Sequence, residues 1–256
     1  MNWIPVSGGR DLEASGARAV VLPDNDVVIW RTADGAAHAW ENRCPHRGMR
    51  MSFGQVRNDR LLCRYHGWGF DEQGQCQSIP AMPNGNAPSK ACIKTYACHE
   101  ETGLIWIGLN DEGEAGFDRT SGDAAIDEAP LFCRSIYVDG ELDDVMTKVK
   151  SARYLPYGFD GDDQSLSWSA SDIGYGQVLL KADGADAEAI LIAGHQAAEG
   201  RCGLHVVTAA TGSAEIDLAR RSWYGKWAVQ LRYALSGPGL RNDNFPVLSD
   251  EQGAAA

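Results

Sequence analysis

Four residues are arranged for redox chemistry: Cys44 and His46 as CxH, then, after sixteen residues, Cys63 and His66 as CxxH. Each half offers one thiolate and one imidazole side by side. Thiolates hold iron in 2Fe-2S clusters, and neutral imidazoles replacing two of them on one iron raise the potential of the centre. On that chemistry Cys44 and Cys63 would bind one iron, and His46 and His66 the other. The same residue types also suit a zinc site, or two loops whose cysteines simply fill a core. Zinc fingers rarely use a CxH half, and Pro45, Arg47-Gly48 and Gly67-Trp68 surround the four in the order a tight cluster-binding loop needs. Trp68 is placed to shield such a centre from water. Arg47 and Arg50 could meet an acidic neighbour or stay solvated.

The elements that position these residues read as short strands and turns. "ARAVVLPDNDVVIWRTADGAAHAWEN" contains two or three β runs punctuated by Asp-Asn and Asp-Gly, and strands continue through "LLCRYHGWGFDEQGQCQSI" to "GLIWIGL". This predicts an all-β domain over residues 1–112. Residues 113–128 are acidic and poor in large apolar side chains, as a linker is. In residues 129–256, "GQVLLKADGADAEAILIAG" predicts a hairpin, and "CGLHVVTAATGSAEIDL" further strand pairing. Trp223, Trp227, Leu231 and Ala234 recur at helical spacing, which predicts a C-terminal amphipathic helix despite Gly225. The second domain is therefore α+β.

Composition narrows the function. Lys and Arg total 23 against 35 Asp and Glu, a net charge of −12, which argues against nucleic acid or an anionic membrane as partner. The first residues, MNWIPVSGGRDLEA, do not read as a leader, and no apolar run approaches membrane-spanning length, so a cytoplasmic protein is expected. Seven cysteines without a small-scaffold spacing suggest thiols or metal ligands rather than disulfides. Cys76, Cys92, Cys98, Cys133 and Cys202 read as small buried hydrophobes.

"NRCPHRG", "CRYHGWGFD", "GQCQSIPAMP" and "GLIWIGL" together resemble the Rieske iron-sulfur domain of the Rieske non-haem iron oxygenases, over about residues 3–110. Respiratory Rieske proteins carry an additional cysteine in each cluster loop, whereas Met49 and Tyr65 stand in the corresponding places here, so the oxygenase branch is favoured. The resemblance implies a potential toward the low end of the Rieske range of roughly −150 to +300 mV. It also implies a cluster histidine oriented by a carboxylate of a neighbouring subunit, and an electron exit at His46 or His66. It implies a helix-grip-like second domain, here in shortened form.

That family binds a mononuclear iron in its second domain through two histidines four residues apart and carboxylates. No histidine lies between His99 and His195, and the nearest match, "ELDDVMTKVKSARY", puts Asp144, Thr147 and Ala152 at the ligand positions. Mononuclear Fe(II) is therefore expected to be absent from this chain. A rearranged site would need His195 and His205 with Asp183, Asp186 or Asp217. The plainer reading makes His195 a turn residue and His205 a half-buried strand residue; His38 and His99 read as surface or strand positions. The acidic run Asp139 to Asp144 reads as a solvated helix start or a bridge to a neighbouring subunit's cluster histidine. Three functions follow. The first is an electron-transfer component of a Rieske oxygenase, partnered in a trimer or hexamer by an iron-bearing homologue and supplied by an NAD(P)H-dependent reductase or ferredoxin. The second is a complete oxygenase with an atypical iron site. The third is a structural or regulatory subunit.

Overall fold

The run Val27 to Trp30 has no polar side chain to turn toward water, and β3 (Asp26–Arg31) accordingly lies in a sheet covered on both faces, with all four residues at 0% exposure. The computed structural model describes residues 3–85, 87–109, 121–152, 154–158, 167–182 and 188–236. The chain divides into two compact units, Met1–Glu101 with Ile105–Phe117 and Thr102–Leu104 with Asp118–Ala256.

In the first unit β1 (Trp3–Gly8), β2 (Ala17–Val21), β3, β4 (Ala37–Glu41), β9 (Thr95–Glu101) and β10 (Leu104–Gly108) form a sheet in the order β1-β10-β9-β4-β3-β2. Strand alternation divides its apolar side chains between two cores. Val27 and Ile29 pack with Ala39, Ile105 and Ile107 on one face, while Val28, Trp30 and Trp40 join Met51, Leu61 and Phe70 on the other. That second core connects to a small sheet of β5 (Gln55–Arg57), β6 (Arg60–Leu62), β7 (Gly69–Phe70) and β8 (Cys76–Ser78), in sequence order. β5 and β6 are joined by Asn58 and Asp59 at φ 51° and 54°, the pair of left-handed residues that a two-residue type I′ hairpin requires.

In the second unit β11 (Pro130–Asp139), β12 (Trp168–Gly174), β13 (Gln177–Ala182), β14 (Ala189–Ala198) and β15 (Arg201–Ala209) form an antiparallel sheet ordered β11-β15-β14-β13-β12. The expected β13–β14 hairpin is present; its turn, 183–187, lies outside the described residues. α2 (Leu142–Lys150) and α3 (Ala214–Ser236) cover one face, where Ile190, Ile192, Leu204 and Val206 meet Val145, Val149, Trp227 and Leu231.

Two local expectations change. Residues 124–128, expected in the linker, form α1 (Ala124–Glu128), because the Asp123 carboxylate accepts hydrogen bonds from the Ala125 and Ile126 N–H groups and Ile126 is fully buried. "AEIDL", expected to continue strand pairing, instead opens α3: Gly212 turns the chain at φ 83°, and the Asp217 carboxylate accepts from the Thr211 N–H at 2.7 Å. No helix among the described residues is long and apolar enough to cross a membrane.

Candidate metal centre

The CxH and CxxH halves occupy two loops built on one plan. The first follows β4, the second follows β6, and the β5–β6 hairpin accounts for half of the spacer between them. In the first, the Gly48 N–H donates to the Cys44 carbonyl at 2.8 Å and the Cys44 N–H to the Met49 carbonyl at 2.8 Å. In the second, Gly67 donates to Cys63 at 2.9 Å and Cys63 to Trp68 at 2.8 Å. Gly48 and Gly67 close the turns at φ 73° and 71°, a region in which a Cβ is strained. Each cysteine thus sits at the start of a loop closed four and five residues later. The base of the first loop is tied by Asn42, 1% exposed, whose side chain bonds Ser52 and Asp26.

The loops bring the donors together in pairs. Cys44 and Cys63, 2% and 3% exposed, belong to the apolar core beneath, and the imidazoles of His46 and His66 lie 4.7 Å apart by ring centroid. Burial pushes the Cys44 thiol up to about 11, the Cys63 thiol adds to the rise, and the backbone N–H groups of His46 and Arg47 oppose it. Burial pulls the His46 imidazole below its usual range, with His66 and Arg47 acting in the same direction. A neutral imidazole is the ligand form. Among the described residues no three or more His, Cys, Asp or Glu side chains converge as ligands of one metal ion. A thiol pair beside an imidazole pair suits two irons bridged by sulfide, and the donor set fits a 2Fe-2S cluster.

Around these donors, Trp68 stacks on His46 with ring centroids 4.4 Å apart and planes inclined by 5°, so the expected shielding side chain is in contact with a candidate ligand. Tyr65, 54% exposed, lies 3.9 Å from His66 by ring centroid. Arg50 meets an acidic neighbour, Asp26, at 2.6 Å. Sequence reasoning passed over Asn42; a polar residue between a strand and the first ligand was its visible trace.

Residues proposed for a second metal are placed differently. Asp144 and Thr147 are exposed on α2, whose inward face carries Leu142, Val145, Met146 and Val149; Ala152 is buried. His195 is not a turn residue but lies within β14, and His205 is fully buried rather than half-buried, each 2% exposed. The His205 Nε2 and His195 Nδ1 atoms are 3.3 Å apart, and His205 Nδ1 lies 2.8 Å from the Ser135 hydroxyl. Cross-strand register places both histidines on the sheet face opposite the one α2 and α3 cover. Asp217 is engaged by Thr211, and Asp183 and Asp186 lie outside the described residues. His38 stacks on Trp30, and His99 meets Trp3 edge-on. Cys133 and Cys202 are core residues and Cys76 is buried, but Cys92, outside the named strands, is exposed, and Cys98, in the middle of β9, is only partly buried.

The family model that matches the chain, over residues 2–97, is described as the Rieske 2Fe-2S domain. Methylxanthine N1-demethylase NdmA of Pseudomonas putida is 39% identical over 123 residues, 46% of this chain and 34% of the relative. Oxidoreductase NdmD of the same organism is 29% identical over 149 residues, 58% of this chain and 25% of the relative. The chain spans about a quarter to a third of the length of these curated relatives. The solved structure of NdmA from Pseudomonas putida CBB5 superposes with a TM-score of 0.65 at 20% identity, covering 94% of this chain and 84% of that one. Apo dicamba monooxygenase superposes at 0.70 and 18% identity, covering 91% and 84%. These structural likenesses establish a shared fold across both units. The N-terminal part of the chain is a Rieske 2Fe-2S domain, and its relatives include a methylxanthine demethylase and an oxidoreductase.

Proposed function

We propose that this chain is the 2Fe-2S component of a Rieske oxygenase. It would pass electrons from an NAD(P)H-dependent reductase or a ferredoxin to the mononuclear iron of a homologous partner subunit, for hydroxylation or demethylation there. One-electron transfer is the chemistry a bound 2Fe-2S cluster supplies. The chain's residues do the rest. Cys44 and Cys63 bind as thiolates in the apolar core, and His46 and His66 bind as neutral imidazoles at the more open edge. The backbone N–H groups of His46 and Arg47 face the Cys44 sulfur and stabilise its thiolate form. The observation that carries this reading is the pair of matched loops, which bring two buried thiols and two adjacent imidazoles together.

Assignment of the oxygen-activating iron to a partner is supported by the all-apolar inward face of α2. It is supported further by the position of His195 and His205 on the sheet face away from that helix. On this reading the chain works in the cytoplasm within a trimer or hexamer, with residues 1–112 as the cluster-bearing domain and residues 129–256 as the shortened oxygenase-type domain.

Iron and acid-labile sulfide, measured per chain on protein purified alone and anaerobically, test the proposal. Two irons with two sulfides, and the electron paramagnetic resonance (EPR) signature of a reduced Rieske centre, are expected. A third iron would replace it with a complete oxygenase. Metal without sulfide would replace it with a zinc-type site.

A further inference from the structure

Trp68 is held by neither the ligand set nor the loop turns alone. Its carbonyl closes the second loop, but its ring leaves that loop and lies flat on His46 of the first. Counting from each cysteine, Trp68 occupies the place that Met49 occupies in the first loop, and both pack against the core that contains the two thiols. The loops are alike in backbone, yet only the second crosses over with a flat ring. The two imidazoles consequently have unequal surroundings. His46 is half-buried under Trp68, whereas His66 is exposed and its neighbour Tyr65 is 54% exposed.

We propose that Trp68 is a positioning residue of the iron-sulfur centre, clamping the ring plane of His46 and keeping water from it so that the reduction potential is held low. This rests on the Rieske reading above. With two thiolates, two sulfides and two neutral imidazoles, the oxidised centre carries no net charge, and one added electron makes it an anion. Water stabilises an anion and a flat apolar ring does not, so cover over His46 favours the oxidised state. A planar ring stacked within 5° also removes a rotational freedom that an exposed imidazole keeps. Tyr65 cannot supply the same cover because more than half of its own surface is in water.

The test compares the full chain, purified anaerobically, with W68F, W68L, W68A and Y65A. Each is titrated at fixed pH against mediator dyes in a spectroelectrochemical cell, with EPR of the reduced form and iron and sulfide per chain. W68A and W68L are expected to shift the one-electron equilibrium about tenfold toward the reduced form, about 59 mV, and to alter the EPR signal. W68F and Y65A are expected to stay near the parent in both readouts. Parent-like potentials in W68A and W68L at full cluster content would overturn the proposal, as would an equal shift in Y65A. If none of the three Trp68 variants retains a cluster that the parent holds, Trp68 is a folding determinant and the proposal also fails. Absence of a Rieske signal from the parent itself would defeat the underlying functional reading instead.

Discussion

At the scale of single residues, the two loop glycines are alike in conformation and unlike in surroundings. A Cβ on Gly67 would lie 2.8 Å from Pro80 Cγ, a rigid ring, whereas one on Gly48 would lie 3.3 Å from the Nε of Arg43, a flexible side chain. Both alanine variants carry the strain of a left-handed residue, about 1–2 kcal/mol; Gly67→Ala must in addition displace the proline. Gly67→Ala is therefore expected to lose most of its cluster and Gly48→Ala to retain most of it, as read from iron and sulfide per chain. Equal retention would show that Pro80 yields freely. Replacing His195 and His205 together by alanine is expected to leave iron at the two atoms of a 2Fe-2S cluster, and loss of a third iron would reverse that. The ligand types and both glycines were legible in the sequence because a tight loop around a cluster restricts what can stand at each place. The Trp68–His46 contact was legible only as general shielding, since nothing in linear order says which of two matched loops reaches across to the other.

Among elements, α3 is joined to β14 by a buried polar cluster. The Glu188 carboxylate pairs with the Arg220 guanidinium and accepts from the Tyr224 hydroxyl, and the Tyr157 N–H donates to it at 2.8 Å. Glu188 and Arg220 are 11% and 10% exposed, so removing one charge leaves the other without compensation in a poorly solvated place. Glu188→Gln is expected to cost about 3–5 kcal/mol in urea unfolding. The double change Glu188→Leu with Arg220→Leu should recover much of that. A double variant no better than the single would mean that the Tyr224 and Tyr157 contacts, rather than the ion pair, carry the cost. The C-terminal helix itself was legible from Trp223, Trp227 and Leu231, but Arg220 was not seen as part of its inward stripe. Periodicity marks the apolar positions and is silent about an arginine whose partner lies on another element. The start of α3 was misread for a related reason: "AEIDL" alternates like a strand until the Thr211–Asp217 cap outweighs the pattern.

For the whole molecule, the buried ionisable groups lean one way. Burial pushes Cys98 and Cys133 up to about 12 and Cys202 to about 11, and it also raises the Tyr154 and Tyr224 hydroxyls. All are neutral when protonated, so folding favours the protonated form. Their contribution is fully present below the unfolded thiol value near 9.0 and is lost as pH rises toward 11 to 12. On the acid side, burial lowers the His38 imidazole, so its contribution is present above the usual 6.5 and lost as pH falls below it. Thermal stability is therefore expected to be flat between about 7 and 9, with a steeper fall on the alkaline side. A net charge of −12 at pH 7 adds repulsion that grows in the same direction, but added salt screens that part and not the desolvation of core thiols. Cys133→Ala, followed by melting temperature against pH in moderate salt, separates the two. Between pH 9 and 11 it should remove about 2 kcal/mol of the decline. If that limb is unchanged, repulsion rather than burial sets the alkaline limit of the fold.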